Sequence, residues 1–165
     1  MSTALEQMYQ QVILDHAKFP HGKGLDPSHE QFDGCWGQSH QLNPTCGDEI
    51  TMRTVVDSAS TVTSVTWDGH GCSISQASAS VLTQLVVGSH VDQATHLGEL
   101  FRQLMGSRGQ GLDSEEEMDE LADATAFTGV SQFPARIKCA LLGWVAFQDA
   151  VARSGFSSQR IDHVS

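Results

Sequence analysis

The stretch from Pro44 to Gln76 constrains the fold more than any other part of the chain. It opens on Pro44-Thr-Cys-Gly-Asp48, a Gly-containing bend that sets a thiol and a carboxylate two residues apart. Ile50, Met52, Thr54 and Val56 then alternate with Thr51, Arg53, Val55 and Asp57, the period-2 pattern of a strand rich in β-branched residues. Asp57-Ser-Ala-Ser60 makes a turn, and Thr61 to Trp67 is predicted to return as a second, antiparallel strand. Asp68-Gly-His-Gly71 then leads to Cys72. A hairpin of this kind brings Cys46, just before its first strand, and Cys72, just after its second, to the same edge of the sheet.

Cys72 stands immediately before a predicted helix. Ser73 with Gln76 reads as a capping box, and Ile74, Ala77, Val81, Leu82 and Leu85 fall on one face. Exposed amide N–H groups and the helix dipole favour an anion at that position, which favours thiolate over thiol. Ser75, Ser78 and Ser80 read as small packing or solvent residues. A third cysteine, Cys139, closes Phe133-Pro-Ala-Arg-Ile-Lys-Cys139, near the start of a last helix with Pro134 in its first turn. Ile137, Leu141, Trp144, Val145, Phe147 and Val151 are the apolar positions of that helix. Arg136 lies three residues before Cys139 and so shares its face, placing a fixed positive charge beside a thiol. Gly143, four residues beyond, lets another backbone approach. The three cysteines are separated by 26 and 67 positions, spacings that match no local zinc-finger or CxxC pattern. They form a site only if the fold gathers them.

Elsewhere the pattern is mostly helical. Thr3 and Glu6 suggest a capped start to a helix over about 3–17, with Leu5, Met8, Tyr9, Val12, Ile13 and His16 at helical spacing. Phe19 to Gly24 ends it, and His16 reads as a core or helix-end residue. From Asp26 to Asn43 an irregular connection is expected to lead into an edge strand, with Cys35 as a small packing residue. Gly88 ends the second helix, and Ala94, Gly98, Phe101, Leu104 and Met105 mark a third. Gly106 to Gly111 is a connection, after which Ser114 with Glu117 caps a short acidic helix. Trp36, Trp67 and Trp144 read as core or edge packing. The domain expected is 1–156, with an acidic insert at about 106–128 and a tail at 157–165.

A chain of 165 residues suffices for one domain with its own core. Its 9 basic residues against 20 acidic ones argue against a nucleic-acid partner. Seven of the eleven residues from Asp113 to Asp123 are Asp or Glu, a solvated face or a docking surface for a basic protein. Neither a signal-peptide pattern nor a membrane-length apolar run is present, so a cytoplasmic protein is expected. In a reducing compartment the cysteines are free thiols or metal ligands.

Three thiolates and one carboxylate make up a tetrahedral set for zinc, so Cys46, Asp48, Cys72 and Cys139 are the candidate ligands. A carboxylate oxygen among thiolates points to a ligand shell that exchanges, and a thiolate freed from it is a nucleophile toward an electrophilic sulfur. Asn43-Pro-Thr-Cys-Gly-Asp48, Gly69-His-Gly-Cys-Ser-Ile-Ser-Gln-Ala-Ser-Ala-Ser80 and Phe133-Pro-Ala-Arg-Ile-Lys-Cys-Ala140 resemble the three motif blocks of the SufU branch of the IscU/NifU N-terminal-like family. A weaker likeness extends to Tyr9–His16. The resemblance implies an α+β fold, a small antiparallel sheet with helices packed on one side. It further implies a pyridoxal-phosphate cysteine desulfurase of the SufS type as partner and a cluster-assembly scaffold downstream. In that picture Cys46 is the sulfur acceptor, Asp48, Cys72 and Cys139 are the remaining metal ligands, and Arg136 supports transfer. Scaffolds of the IscU type carry a histidine immediately before the third cysteine and lack the segment around 106–128. Lys138 stands at the first place here, and an ammonium must lose its proton to act as a ligand. The alternatives are a scaffold holding iron or a [2Fe-2S] cluster on the same cysteines, and a structural zinc module.

Overall fold

The structure, a computed structural model, describes residues 4–25, 35–44 and 47–154. Strands β1 (Cys35–Asn43), β2 (Asp48–Val56) and β3 (Val62–His70) form one antiparallel sheet in that order. The register runs from Cys35↔Val56 to Asn43↔Asp48 on one side of β2, and from Glu49↔His70 to Val56↔Val62 on the other, with an irregularity at Val55/Val56. Along β2, Asp48, Ile50, Met52 and Thr54 are buried while Glu49, Thr51 and Arg53 face outward, half exposed. One face of the sheet therefore packs and the other meets solvent, as antiparallel sheets allow.

The helices are α1 (Ala4–Lys18), α2 (Ser73–Val86), α3 (Val91–Met105), α4 (Glu115–Leu121) and α5 (Pro134–Arg153), with a 3-10 segment, Ala122–Gln132, between the last two. α5 lies on the buried face against β1 and β2, and α2 packs alongside it. A Cβ on Gly37 would collide with the Ala150 carbonyl oxygen, so β1 rests directly on the last turns of α5. At Gly143 the backbone of α2 comes within 3.3 Å of where a Cβ would sit, at Ala79. Ser78 Oγ donates to Ala140 O at 2.6 Å and accepts from Trp144 Nε1 at 3.1 Å, which ties the two helices together inside the core. Phe101 stacks on Trp144 and meets Phe127 edge-on. The expected α+β fold, a small antiparallel sheet with helices on one side, is the one the chain adopts. Among the described residues no helix is long and apolar enough to cross a membrane.

Several local expectations are corrected. β3 runs on through Asp68 and Gly69 to His70, because Glu49 and Ile50 offer it pairing partners where composition reads as a turn. Ser73 does not cap α2. Cys72 is the N-cap residue, makes no side-chain cap bond, and Gln76 Nε2 donates instead to Gly71 O. Along α1 only His16 is buried, with Ile13 and Ala17 partly covered, while Leu5 and Met8 stay exposed. Thr3 lies outside the described residues, as does the span 26–34. Ser114 does cap α4, accepting from the Glu117 N–H. Beyond it the acidic side chains Glu115, Glu116 and Asp119 are exposed, whereas Leu121, Ala124 and Phe127 enter the core.

His16 is the core residue expected, and its partners explain why. Its Nδ1 lies 2.7 Å from Ser80 Oγ on α2, and its Nε2 lies 3.1 Å from Asp123 Oδ2 in the 3-10 segment. One imidazole thus joins α1, α2 and the stretch between α4 and α5.

Candidate metal centre

The register of β2 and β3 builds the site. Pairing of Glu49 with His70 leaves Asp48 and Cys72 at the same end of the sheet, one at the start of β2 and the other at the head of α2. α5, crossing the inner face, delivers Cys139 from one turn inside its N-terminus. One ligand atom each from Asp48, Cys72 and Cys139 lies within 4.8 Å of the others. Asp48 and Cys139 are buried and Cys72 is half-buried, so the group is closed toward the core and open on the Cys72 side.

Asp48 is held by backbone. The Cys72 N–H donates to its Oδ1 at 3.1 Å, leaving Oδ2 3.6 Å from Cys72 Sγ. Ser75 Oγ donates to Cys72 O at 3.0 Å and lies 3.9 Å from the Cys72 sulfur. Cys139 Sγ sits 3.7 Å from Ala135 O, within its own helix. Gly71 makes this compactness possible: a Cβ there would lie 2.6 Å from Asp48 Oδ1 and 2.7 Å from Ser75 Oγ.

The donor set suits a metal ion. A tetrahedral ion about 2.3 Å from sulfur and about 2.1 Å from oxygen requires an S···O separation of roughly 3.6 Å, which is the distance between Cys72 Sγ and Asp48 Oδ2. Two thiols and a carboxylate leave one position of a tetrahedron to fill. Cys46, two positions before Asp48 in the sequence, lies outside the described residues. Its neighbour Gly47 donates to Asn43 O at 2.8 Å, closing the link between β1 and β2.

Arg136 is exposed in the first turn of α5 and bonds through its backbone N–H to Phe133 O. Lys138, exposed, precedes Cys139 directly. Cys35 stands at the far end of β1, opposite Val56, away from this group. The neighbours missed from sequence are Ser75 and Gly71. The signal for Ser75 was its place three residues after Cys72, one helical turn on.

Residues 8–140 match the family model of the NifU-like N terminal domain. The chain is 40% identical over 149 residues to the zinc-dependent sulfurtransferase SufU of Bacillus subtilis, covering 90% of this chain and 92% of that protein. It is 36% identical over 159 residues to the iron-sulfur cluster assembly scaffold protein IscU of Streptococcus pyogenes, covering 96% and 91%. A crystal structure from Fervidobacterium islandicum, of a proposed iron-sulfur cluster assembly scaffold protein for the SUF system, superposes with a TM-score of 0.70 at 28% identity, over 88% of this chain and 98% of that one. With its fold, its motif order and these likenesses in agreement, the chain belongs to the SufU-type IscU/NifU-like family.

Proposed function

We propose that this is an iron-sulfur cluster assembly protein acting as a zinc-dependent sulfur acceptor, in the cytoplasm. Cys46 takes persulfide sulfur from a pyridoxal-phosphate cysteine desulfurase of the SufS type and hands it to a downstream cluster-assembly scaffold. The observation that carries this reading is the gathering of Asp48, Cys72 and Cys139 within 4.8 Å, two positions along the chain from Cys46. Those three residues with Cys46 would hold zinc, whose charge keeps thiols ionised at neutral pH.

The chain's own residues supply the transfer. Asp48, fixed by the Cys72 N–H, orients the carboxylate end of the ligand set. The Cys46 thiolate attacks the terminal sulfur of the desulfurase persulfide. A new S–S bond forms at Cys46, the old one breaks, and the desulfurase cysteine leaves as thiolate, so neither oxidant nor reductant is consumed. Arg136, exposed one turn before Cys139, offers positive charge to the persulfide anion.

Metal analysis of protein purified without added metal, joined to a desulfurase turnover assay, tests the reading. Stoichiometric zinc is expected, with turnover strongly raised by the wild type and not by Cys46→Ala. Full stimulation by Cys46→Ala overturns the assignment. The Streptococcus relative's name favours a second reading, a [2Fe-2S] scaffold on the same cysteines. A labile brown cluster passed to an apo acceptor would establish it.

A further inference from the structure

Gln76 grips both peptide units that flank Cys72. Its backbone N–H donates to Cys72 O at 3.2 Å, and its side-chain Nε2 donates to Gly71 O, also at 3.2 Å. The 71–72 peptide lies between β3, which ends at His70, and α2, which begins at Ser73. It belongs to neither ladder nor helix, and the Gln76 amide holds its carbonyl. The N–H of that same peptide is the one that donates to Asp48 Oδ1 at 3.1 Å. One rigid plane thus carries Gln76 on its carbonyl edge and the Asp48 carboxylate on its amide edge.

Lys23 extends this row outward to the surface. Its Nζ donates to Gln76 Oε1 at 2.9 Å and sits over the Trp67 ring, 5.7 Å from its centre. Backbone pairing sets it there: the Trp67 N–H donates to Gly22 O at 2.9 Å and the Gly24 N–H to Trp67 O at 2.6 Å, so residues 22–24 run beside β3. An ammonium only donates and a carbonyl only accepts, so the orientation of the Gln76 amide is dictated from both ends. A positive charge at the head of such a row strengthens each donor after it. The row runs from exposed Lys23 through half-buried Gln76 to buried Asp48. With Oδ1 of Asp48 taken by the Cys72 N–H, Oδ2 is the oxygen left 3.6 Å from Cys72 Sγ.

We propose that Gln76, oriented by Lys23, is a positioning residue of the metal centre. It fixes the 71–72 peptide, and that peptide holds Asp48 so that it offers a single oxygen to the ion. The proposal rests on the reading that Asp48, Cys72 and Cys139 hold zinc, and it needs no sulfur transfer. Gln76 touches no ligand atom of the centre and acts through the peptide alone.

Gln76→Met keeps an unbranched side chain of similar length and removes both of its hydrogen bonds, whereas Lys23→Met removes only the outer one. In chelator competition Gln76→Met is expected to bind Zn²⁺ about tenfold more weakly than wild type, the lower end of the loss when a group orienting a metal ligand is removed. Lys23→Met should fall between the two, and Lys23→Arg, which restores a donor, should match wild type. In metal-free protein, hydrogen exchange at the Cys72 amide should be faster in Gln76→Met, while the Leu82 amide in the buried part of α2 is unchanged. Combined with Asp48→Ala, Gln76→Met should cost little further affinity, because its effect passes through Asp48. Wild-type affinity in Gln76→Met, an unchanged Cys72 exchange rate, equal acceleration at Leu82, or an undiminished loss beside Asp48→Ala overturns the proposal. Wild-type protein that binds no zinc refutes the metal reading instead, and the Cys72 exchange rate in metal-free protein still decides the role of Gln76.

Discussion

Replacing Gly71 by alanine probes whether the Asp48 carboxylate is held ready for a metal ion. The new methyl would lie 2.6 Å from Asp48 Oδ1, so the carboxylate or the strand end must retreat by at least about 0.4 Å to reach even the tightest tolerated contact. Gly71 does not occupy the left-handed backbone region, so the effect is steric and local. Retreat breaks the hydrogen bond from the Cys72 N–H to Oδ1. A hydrogen bond to a charged group contributes about 1.5–3 kcal/mol. At about 1.4 kcal/mol per factor of ten, that is a roughly ten- to hundredfold loss of zinc affinity, the range found when a group orienting a metal ligand is removed. Chelator competition measures it, with circular dichroism confirming that the fold persists. Ser75→Ala added to Gly71→Ala relieves the clash with Ser75 and leaves the one with Asp48, so affinity should stay low. Wild-type affinity in Gly71→Ala, or full recovery in the double variant, refutes the reasoning.

Other perturbations test the packing that supports the site. Ser78→Ala leaves the indole N–H of Trp144 and the Ala140 carbonyl without their partner in the core, and should lower unfolding stability by about 1–3 kcal/mol in urea titrations at unchanged m-value. Thr54 carries a buried hydroxyl with no hydrogen-bond partner among the described residues. Thr54→Val is therefore expected to raise the midpoint, by about 1 kcal/mol in stability, and a fall would contradict it. The Asp149 carboxyl is held below its ordinary range, first by the Ser39 hydroxyl and then by Arg153. Its contribution is present above the unfolded carboxylate range and is lost as pH falls through the lower folded value. Asp149→Asn should therefore reduce stability at pH 7, by about 1 kcal/mol for this part-exposed group, and flatten the loss of stability as pH falls below the ordinary carboxylate range.

The hairpin was readable because β2 follows a period-2 pattern from Ile50 to Thr54 and a second β-branched run, leading to Trp67, follows a turn at 57–60, leaving Asp48 and Cys72 at the end of the sheet away from that turn. The start of α5 was readable from Pro134. What composition concealed lay in pairing and depth. Asp68-Gly-His70 has turn-forming residues yet continues β3, since Gly69 fits against Glu49 O, where any side chain would collide. α1 has a full apolar stripe, but α2 and the 3-10 segment cover only its C-terminal part, so spacing alone overstated its burial. Charge dominated the reading of 106–128 and hid Phe127, whose burial depends on the packing of the 3-10 segment against α1, α3 and α5 rather than on neighbours in sequence. The site residues themselves were visible as motif chemistry, while their mutual distances depended on the angle at which α5 crosses the sheet. Cys46 lies outside the described residues.

The candidate ligands Asp48, Cys72 and Cys139 come from the first residue of a strand, the cap of one helix and the first turns of another. An ion there would therefore act as a cross-link closing long stretches of chain, as a disulfide does without oxidation. Each loading event would stiffen the union of sheet and helices, by about 2.7 kcal/mol when free ion exceeds its dissociation constant a hundredfold. Heat or protease resistance would then distinguish filled from empty molecules without any sulfur being moved.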